Sequence, residues 1–197
     1  MRRIVMFNHV SADGYFAGQD GNLNWVVPDD DVVRSGLESM PECDTMLFGR
    51  RTYEMFEAYW PRALDDSETA EDPHAPGRRS KAVHAMAVWI NETTKIVFSR
   101  TRTKFPWRNS VGVHDLEPAA IEEMKRGAGK DMMLFGSGSI VAQLTRHRLI
   151  DEYQFVVSPV LLGDGQTMLN GLADSTPLRL LEAKPFASGV VLMRYTA

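Results

Sequence analysis

Three short stretches carry residue types that could hold an anion. Phe135-Gly136-Ser137-Gly138-Ser139 sits where an apolar run, Met132 to Phe135, gives way to a helical pattern. Glycines there let the backbone approach a phosphate at a helix N-terminus, where unpaired N–H groups and the helix dipole favour negative charge. The same letters also make a tight structural turn. Val141 stands where a dinucleotide fingerprint has its third small residue, and the stretch lacks a Walker A lysine. Gly49-Arg50-Arg51-Thr52-Tyr53 is a second strand-to-helix junction, where two guanidinium forks and a hydroxyl join free helix N–H groups. The plainer reading is a pair of arginines on a solvated helix face. Ser99-Arg100-Thr101-Arg102 follows the apolar run Ile96-Val97-Phe98 and again interleaves hydroxyls with cations. In an open α/β sheet ligands gather at the carboxyl ends of strands, so three such ends imply one polyphosphate ligand, a nucleotide cofactor.

Other chemistries have less support. His9, His74, His84, His114 and His147 show no HxH or HExxH spacing, so no metal site is expected. Cys43 is the only cysteine, which removes intrachain disulfides, cysteine-cluster zinc sites and CxxC redox chemistry, and makes a reducing cytoplasm the expected location. G-x-S-x-G does not occur, so Ser137 reads as a loop residue rather than a nucleophile. Met132-Met133 and the Trp89 region read as core.

The elements that must position these stretches are legible from apolar periodicity. Ile4 to Phe7 is a strand buried on both faces, followed by a long loop with turn signals at Asp13-Gly14 and Asp20-Gly21. Pro28 and the three aspartates after it start a helix with Val33, Leu37 and Met40 inward and Pro41 as its stop. Thr45 to Phe48 is a strand, and the helix after Gly49 turns Tyr53, Phe56 and Tyr59 or Trp60 inward before Pro61. The acidic, proline-containing stretch 62–79 offers little to a core and is expected to be a mobile insertion loop. Helices follow at 82–90, 117–126 and 139–147, with strands at 96–98, 111–114 and 132–135. The tail then switches to strands alone, at Tyr153–Val157, Val160–Leu162, Arg179–Ala183 and Val190–Tyr195. That order predicts an α/β fold with a mostly parallel sheet, helices on both faces and antiparallel C-terminal strands.

The chain has 197 residues, 44% hydrophobic and 24% charged, which suits one soluble domain over 1–197. A net charge of −4 argues against nucleic acid or an anionic membrane as the main partner. The longest apolar run, Ala85 to Ile90, is too short to span a bilayer, and Ile4 to Phe7 is too short for a signal peptide's apolar core.

Taken in order, Ser11-Ala12-Asp13-Gly14, Gly49-Arg50-Arg51-Thr52-Tyr53, Phe98-Ser99-Arg100, Gly136-Ser137-Gly138-Ser139, Asp151-Glu152 and Pro159-Val160-Leu161-Leu162-Gly163-Asp164-Gly165 resemble the dihydrofolate-reductase-like superfamily. Within it the chain is similar, nearly end to end, to the reductase domain of bacterial riboflavin-biosynthesis deaminase-reductases. The resemblance implies a dihydrofolate-reductase-like fold, a homodimer joined through the late strands, and NADPH as hydride donor. It places Gly49, Arg50, Arg51 and Thr52 along the cofactor phosphates, Ser99 and Arg100 at the 2′-phosphate, and Gly136, Ser137, Gly138 and Ser139 at the pyrophosphate. The zinc motif of the deaminase half is missing, so only the reductase module is implied.

At the substrate end the resemblance offers Ser11 and Trp25 as contacts and Asp13 and Asp30 as catalytic acids. True dihydrofolate reductases have a tryptophan, a proline and an acid at the spacing of Trp25, Pro28 and Asp30, the acid binding the pterin ring. The competing reading makes Asp29, Asp30 and Asp31 helix caps and Asp13 a turn former. The implied activity is NADPH-dependent reduction of a pterin-like, pyrimidine-like or carbonyl substrate. The alternatives are a true dihydrofolate reductase or a non-catalytic nucleotide-binding module.

Overall fold

The computed structural model describes residues 1–64, 81–172 and 174–197. Its strands are β1 (Ile4–Ser11), β2 (Cys43–Gly49), β3 (Thr94–Phe98), β4 (Ser110–Val113), β5 (Asp131–Phe135), β6 (Glu152–Ser158), β7 (Arg179–Pro185) and β8 (Val191–Thr196). The helices are α1 (Asp30–Ser39), α2 (Arg50–Tyr59), α3 (Lys81–Glu92), α4 (Pro118–Arg126) and α5 (Gly138–Arg146). One eight-stranded sheet runs β4-β3-β2-β5-β1-β6-β8-β7. Its first six strands pair in parallel, and β8 pairs antiparallel with both β6 and β7. This is the expected α/β architecture with an antiparallel C-terminal edge.

Alternation along β5 explains why helices cover both faces. Met132 and Leu134 pack with Ile4, Met6 and Leu47 against Ile121 of α4 and Ile140, Val141 and Leu144 of α5. Met133 and Phe135 point the other way, joining Met46 and Phe48 against Tyr53 of α2 and Ile90 of α3. Four successive apolar residues leave neither face of the strand to water, and each such side chain stabilises the fold by about 1.5 to 3 kcal/mol when buried. The second face is aromatic: Phe48 and Phe56 meet at 5.0 Å between centroids, and Phe56 and Phe135 at 5.4 Å.

Two expectations are corrected. In α1 the buried positions are Val32 and Gly36, with Met40 buried at the C-cap; Leu37 packs half-buried against the core as expected, and Val33 is the expected inward position that is only half-buried. Asp29 is the N-cap, and the start it fixes turns Val32 onto Val156, Val190 and Leu192. The segment 160–162 is not a strand. Pro159 has no N–H to pair, Gly163 turns at φ +72°, and Leu161 faces outward. The segment is instead held by Asp13, whose carboxylate accepts from the N–H of Leu162 at 3.1 Å and of Gly163 at 2.8 Å.

Of the stretch expected to be a mobile insertion, Arg62–Leu64 forms a 3-10 turn with Ala63 fully buried; positions 65–79 lie outside the described residues. Among the described residues no helix is long and apolar enough to cross a membrane.

Candidate functional site

Parallel pairing brings the carboxyl ends of six strands to one edge of the sheet: Ser11, Gly49, Phe98, Val113, Phe135 and Ser158. All three stretches expected to hold an anion therefore share that edge. Two of them touch. The Gly49 N–H donates to Ser137 Oγ at 2.8 Å, and Ser137 Oγ donates to Thr52 Oγ1 at 2.8 Å. This relay draws the N-termini of α2 and α5 together.

The glycines are explained by that contact. Gly136 has φ +53° and Ser137 φ +57°, and the paired left-handed residues turn the chain sharply out of β5. A Cβ on Gly136 would lie 2.8 Å from Thr52 Oγ1, and one on Gly49 would lie 2.7 Å from Ser137 Oγ. Both junctions are packed against each other too closely for any side chain.

Neither helix has a side-chain cap hydrogen bond. Moreover α2 opens with Arg50 and Arg51 and has no acid in its first turn. Cations at the positive end of a helix dipole are unfavourable by a few tenths of a kcal/mol to about 1 kcal/mol each. An anion beside them reverses that sign. Arg51 is exposed, Arg50 bonds Glu54 at 3.1 Å one turn along, and Ser139 is exposed on the first turn of α5.

Beside the start of α2 lies an open cleft of about 450 Å³, lined by Arg50, Glu54, Thr101, Arg102, Lys104 and Pro106 among others. Arg102 is its fixed wall. It stacks over Tyr53 at 4.8 Å to the ring centroid and donates from Nη2 to Glu57 at 2.7 and 2.9 Å. Burial works against its charge, but the Glu57 hydrogen bond outweighs this and holds the guanidinium above its ordinary pKa. Ser99 Oγ accepts from the N–H groups of Thr101 and Arg102, shaping the turn that brings Arg102 there. Arg100 points elsewhere: it bonds Asp115 at 2.6 Å, and the same carboxylate takes His114 Nδ1 at 2.7 Å. The His114 contact, then Arg100, hold Asp115 below the usual carboxylate range.

The substrate-end candidates are placed differently. Ser11 Oγ donates to Asp13 at 2.6 Å and accepts from the Tyr15 N–H, so Ser11 orders the loop after β1 and Asp13 fastens it to the loop after β6. The Ser11 hydroxyl, followed by the Gly163 N–H, holds the exposed Asp13 carboxyl below its ordinary pKa. Ala17 and Gln166 form a bridge between the same loops. Asp30 is exposed at the start of α1, and the capping belongs to Asp29, which accepts from Asp31 and Val32 N–H and from the Ser188 hydroxyl. The indole Nε1 of Trp25 is buried without a hydrogen-bond partner among the described residues.

Sequence reasoning passed over two features here. Arg102 and Lys104 were within or beside a quoted stretch, but nothing local distinguishes Arg102 from Arg100. Ser158, beyond the expected end of β6, is fully buried beside Ser11, and its hydroxyl has no partner among the described residues. A serine ending an apolar strand before a proline was the available signal. Among the described residues no group of three His, Cys, Asp or Glu could hold a metal ion.

The comparisons with known proteins agree with this architecture. A relative from Bacillus subtilis (strain 168), the uncharacterized protein YyaP, is 27% identical over 194 residues, covering 98% of this chain and 94% of its own. A solved putative riboflavin biosynthesis protein from Shewanella sp. PV-4 superposes with a TM-score of 0.72 at 21% identity, over 100% of this chain and 98% of that one. Dihydrofolate reductase from Enterococcus faecalis, complexed with NADP(H), superposes at 0.62 and 13% identity, over 98% and 95%. The model of the RibD C-terminal domain matches residues 2–192. With the six-strand carboxyl edge and its two joined helix ends in view, the chain belongs to the RibD C-terminal domain family.

Proposed function

We propose that residues 1–197 act as one NADPH-dependent reductase domain that passes hydride to a small pterin-like, pyrimidine-like or carbonyl substrate. The observation that carries this reading is the start of α2: two arginines at a helix end that disfavours cations, uncapped, joined through Ser137 to a second uncapped helix end. Such a donor set fits a polyanion.

The bound dinucleotide would supply the hydride, and the protein supplies binding and orientation. Gly49, Arg50, Arg51 and Thr52 hold phosphate oxygens on one side, and Gly136 to Ser139 offer backbone N–H groups on the other. Ser99 and Arg100 mark the strand end at which the 2′-phosphate binds; Arg50, Arg102 and Lys104 line the cleft there and share that phosphate, with Arg100 turning in from Asp115. Ser11 and Asp13 keep the substrate-side loops closed on each other, Trp25 offers an indole N–H, and Asp30 hydrogen-bonds a ring N–H of a heterocycle. The exposed leucines Leu178, Leu180 and Leu181, in and beside the edge strand β7, support a homodimer through the late strands. Light scattering tests it, a monomer mass being the adverse result.

The decisive experiment measures NADPH and NADH affinity by calorimetry, then NADPH oxidation with dihydrofolate and with the deaminated ribosylaminopyrimidine phosphate side by side. A charge-assisted 2′-phosphate contact should favour NADPH by about ten- to a hundredfold. Equal affinities defeat the cofactor assignment. Turnover of dihydrofolate alone makes the protein a true dihydrofolate reductase, and binding without turnover of any substrate makes it a nucleotide-binding module.

A further inference from the structure

Two carboxylates engage the arginines of the cleft, and one of them exceeds what the fold needs. Arg102 is already satisfied: Glu57 takes its Nη2 with both oxygens, and Tyr53 and Phe105 lie under its guanidinium at 4.8 and 5.7 Å. Its side chain is 19% exposed and pinned. Glu54 adds a second carboxylate, 3.5 Å from Arg102 Nη1 and 3.1 Å from Arg50 Nη1. Its side chain is 39% exposed and lines the cleft. The Arg50–Glu54 spacing puts the acid on the C-terminal side of the cation, the less favourable order for a helical pair. As a stabilising ion pair it is therefore poorly built. As an anion standing between two guanidiniums at the mouth of a cationic cleft it is well placed.

We propose that Glu54 is a specificity-determining residue, a resident anion that occupies the faces of Arg50 and Arg102 which the phosphate on the cofactor's adenosine ribose would otherwise take. The proposal rests on the reductase reading above. The cleft presents three cations, Arg50, Arg102 and Lys104, against the carboxylate of Glu54. To bind there a phosphate must displace that carboxylate or sit beside it, and like charges a few ångströms apart repel even when screened. Glu54 thus holds down the affinity for a 2′-phosphorylated nucleotide and leaves an unphosphorylated ribose unaffected. An acid close to the adenosine ribose is also the group that favours a free 2′-hydroxyl over a 2′-phosphate. The discrimination between NADPH and NADH is then a balance between cations and one acid in the same cleft.

The test compares the wild-type protein with Glu54→Gln, which keeps size and removes charge. Calorimetry with adenosine 2′,5′-bisphosphate should give about three- to tenfold tighter binding in the variant, steeper in its salt dependence, and with adenosine 5′-monophosphate a change under about twofold. NADPH should follow the bisphosphate and NADH the monophosphate. Glu54→Ala repeats the measurement without a hydrogen-bonding amide and should move the same way. If the wild type binds NADPH but neither variant tightens bisphosphate binding, the role of Glu54 falls while the reductase reading stands. Equal tightening of both nucleotides also overturns it, since it would mean a general charge effect. If no nucleotide binds wild type or variants, both readings fall together.

Discussion

The two edges of the sheet are built from similar residues and used in opposite ways. At the amino edge, charged groups are buried and saturated. Glu152, its side chain 4% exposed, takes Arg194 at 2.8 Å, Gln154 at 2.7 Å and Arg3 at 3.4 Å, and Arg194 continues to Glu182. Lys125 reaches Asp151 at 2.7 Å and the Leu149 carbonyl at 3.0 Å. Lys95, fully buried, donates to the carbonyls of Asn91, Thr93 and Arg108 and lies over the Trp107 ring. At the carboxyl edge two helix ends lack side-chain caps, and Trp25 Nε1 and Ser158 Oγ are buried without partners among the described residues. Buried polar groups are otherwise almost always satisfied, and these open groups lie on the edge to which the proposed cofactor and substrate are assigned. The amino edge holds the fold, and the carboxyl edge is held by it.

The contrast is sharpest if the amino edge is broken first. Glu152→Ala leaves Arg194 and Arg3 short of a buried partner and should cost about 2 to 4 kcal/mol in urea unfolding. NADPH affinity should change less than about twofold, because distant sites act independently. A comparable loss of affinity would join the two edges.

Gly136→Ala strikes the other edge. The left-handed backbone and the contact with Thr52 should cost about 1 to 3 kcal/mol of stability, and the displaced junction should weaken NADPH binding about tenfold or more. Unchanged binding with reduced stability would make the junction purely structural.

The pH dependence reads the buried groups beside the amino edge. Burial pushes the Lys95 ammonium down to about 8 and the Cys43 thiol up to about 12. Above pH 8 folded Lys95 has shed a proton that the unfolded chain keeps, so its contribution to stability rises with pH until the unfolded lysine also titrates, near about 10.4. Folded Cys43 keeps a proton that the unfolded chain loses above about 8.5, so its contribution falls from there towards pH 12. The expected result is a shallow gain of about 1 kcal/mol or less around pH 8 to 9, then cancellation. Lys95→Met should abolish the gain and Cys43→Ala should prolong it, by thermal melting across that range.

The smallest effects separate the neighbouring acids of α1. Asp29→Ala removes the cap and should cost about 1 kcal/mol, whereas Asp30→Asn should shift stability by under about 0.5 kcal/mol. If Asp30 serves the substrate, the same Asn variant lowers turnover about tenfold with an altered pH profile, and unchanged kinetics return it to a first-turn charge.

The sheet and helices were legible because apolar runs and 3.6-residue stripes are local signals. Met132 to Phe135 announces a strand covered on both faces, and the fold covers both. The strand expected at 160–162 failed for the opposite reason. Its fate depends on Asp13, about 150 positions away, and no local pattern encodes a carboxylate that will reach across two loops. The start of α1 was legible as a cluster of acids, but which of them caps depended on where Val32 had to land.

The site divides in the same way. The sequence by itself determined that glycines, arginines and hydroxyls follow three apolar strands, because residue type and spacing are enough to mark a strand end and its chemistry. Only the tertiary structure decided that Ser137 would tie Gly49 to Thr52, that Arg102 rather than Arg100 would enter the cleft, that Glu54 would stand there with it, and that Ser158 would lie buried without a partner among the described residues. Those outcomes rest on contacts between segments far apart in the chain. Their free energies exist only once the strands are in register, and a side chain's local neighbours carry no record of them.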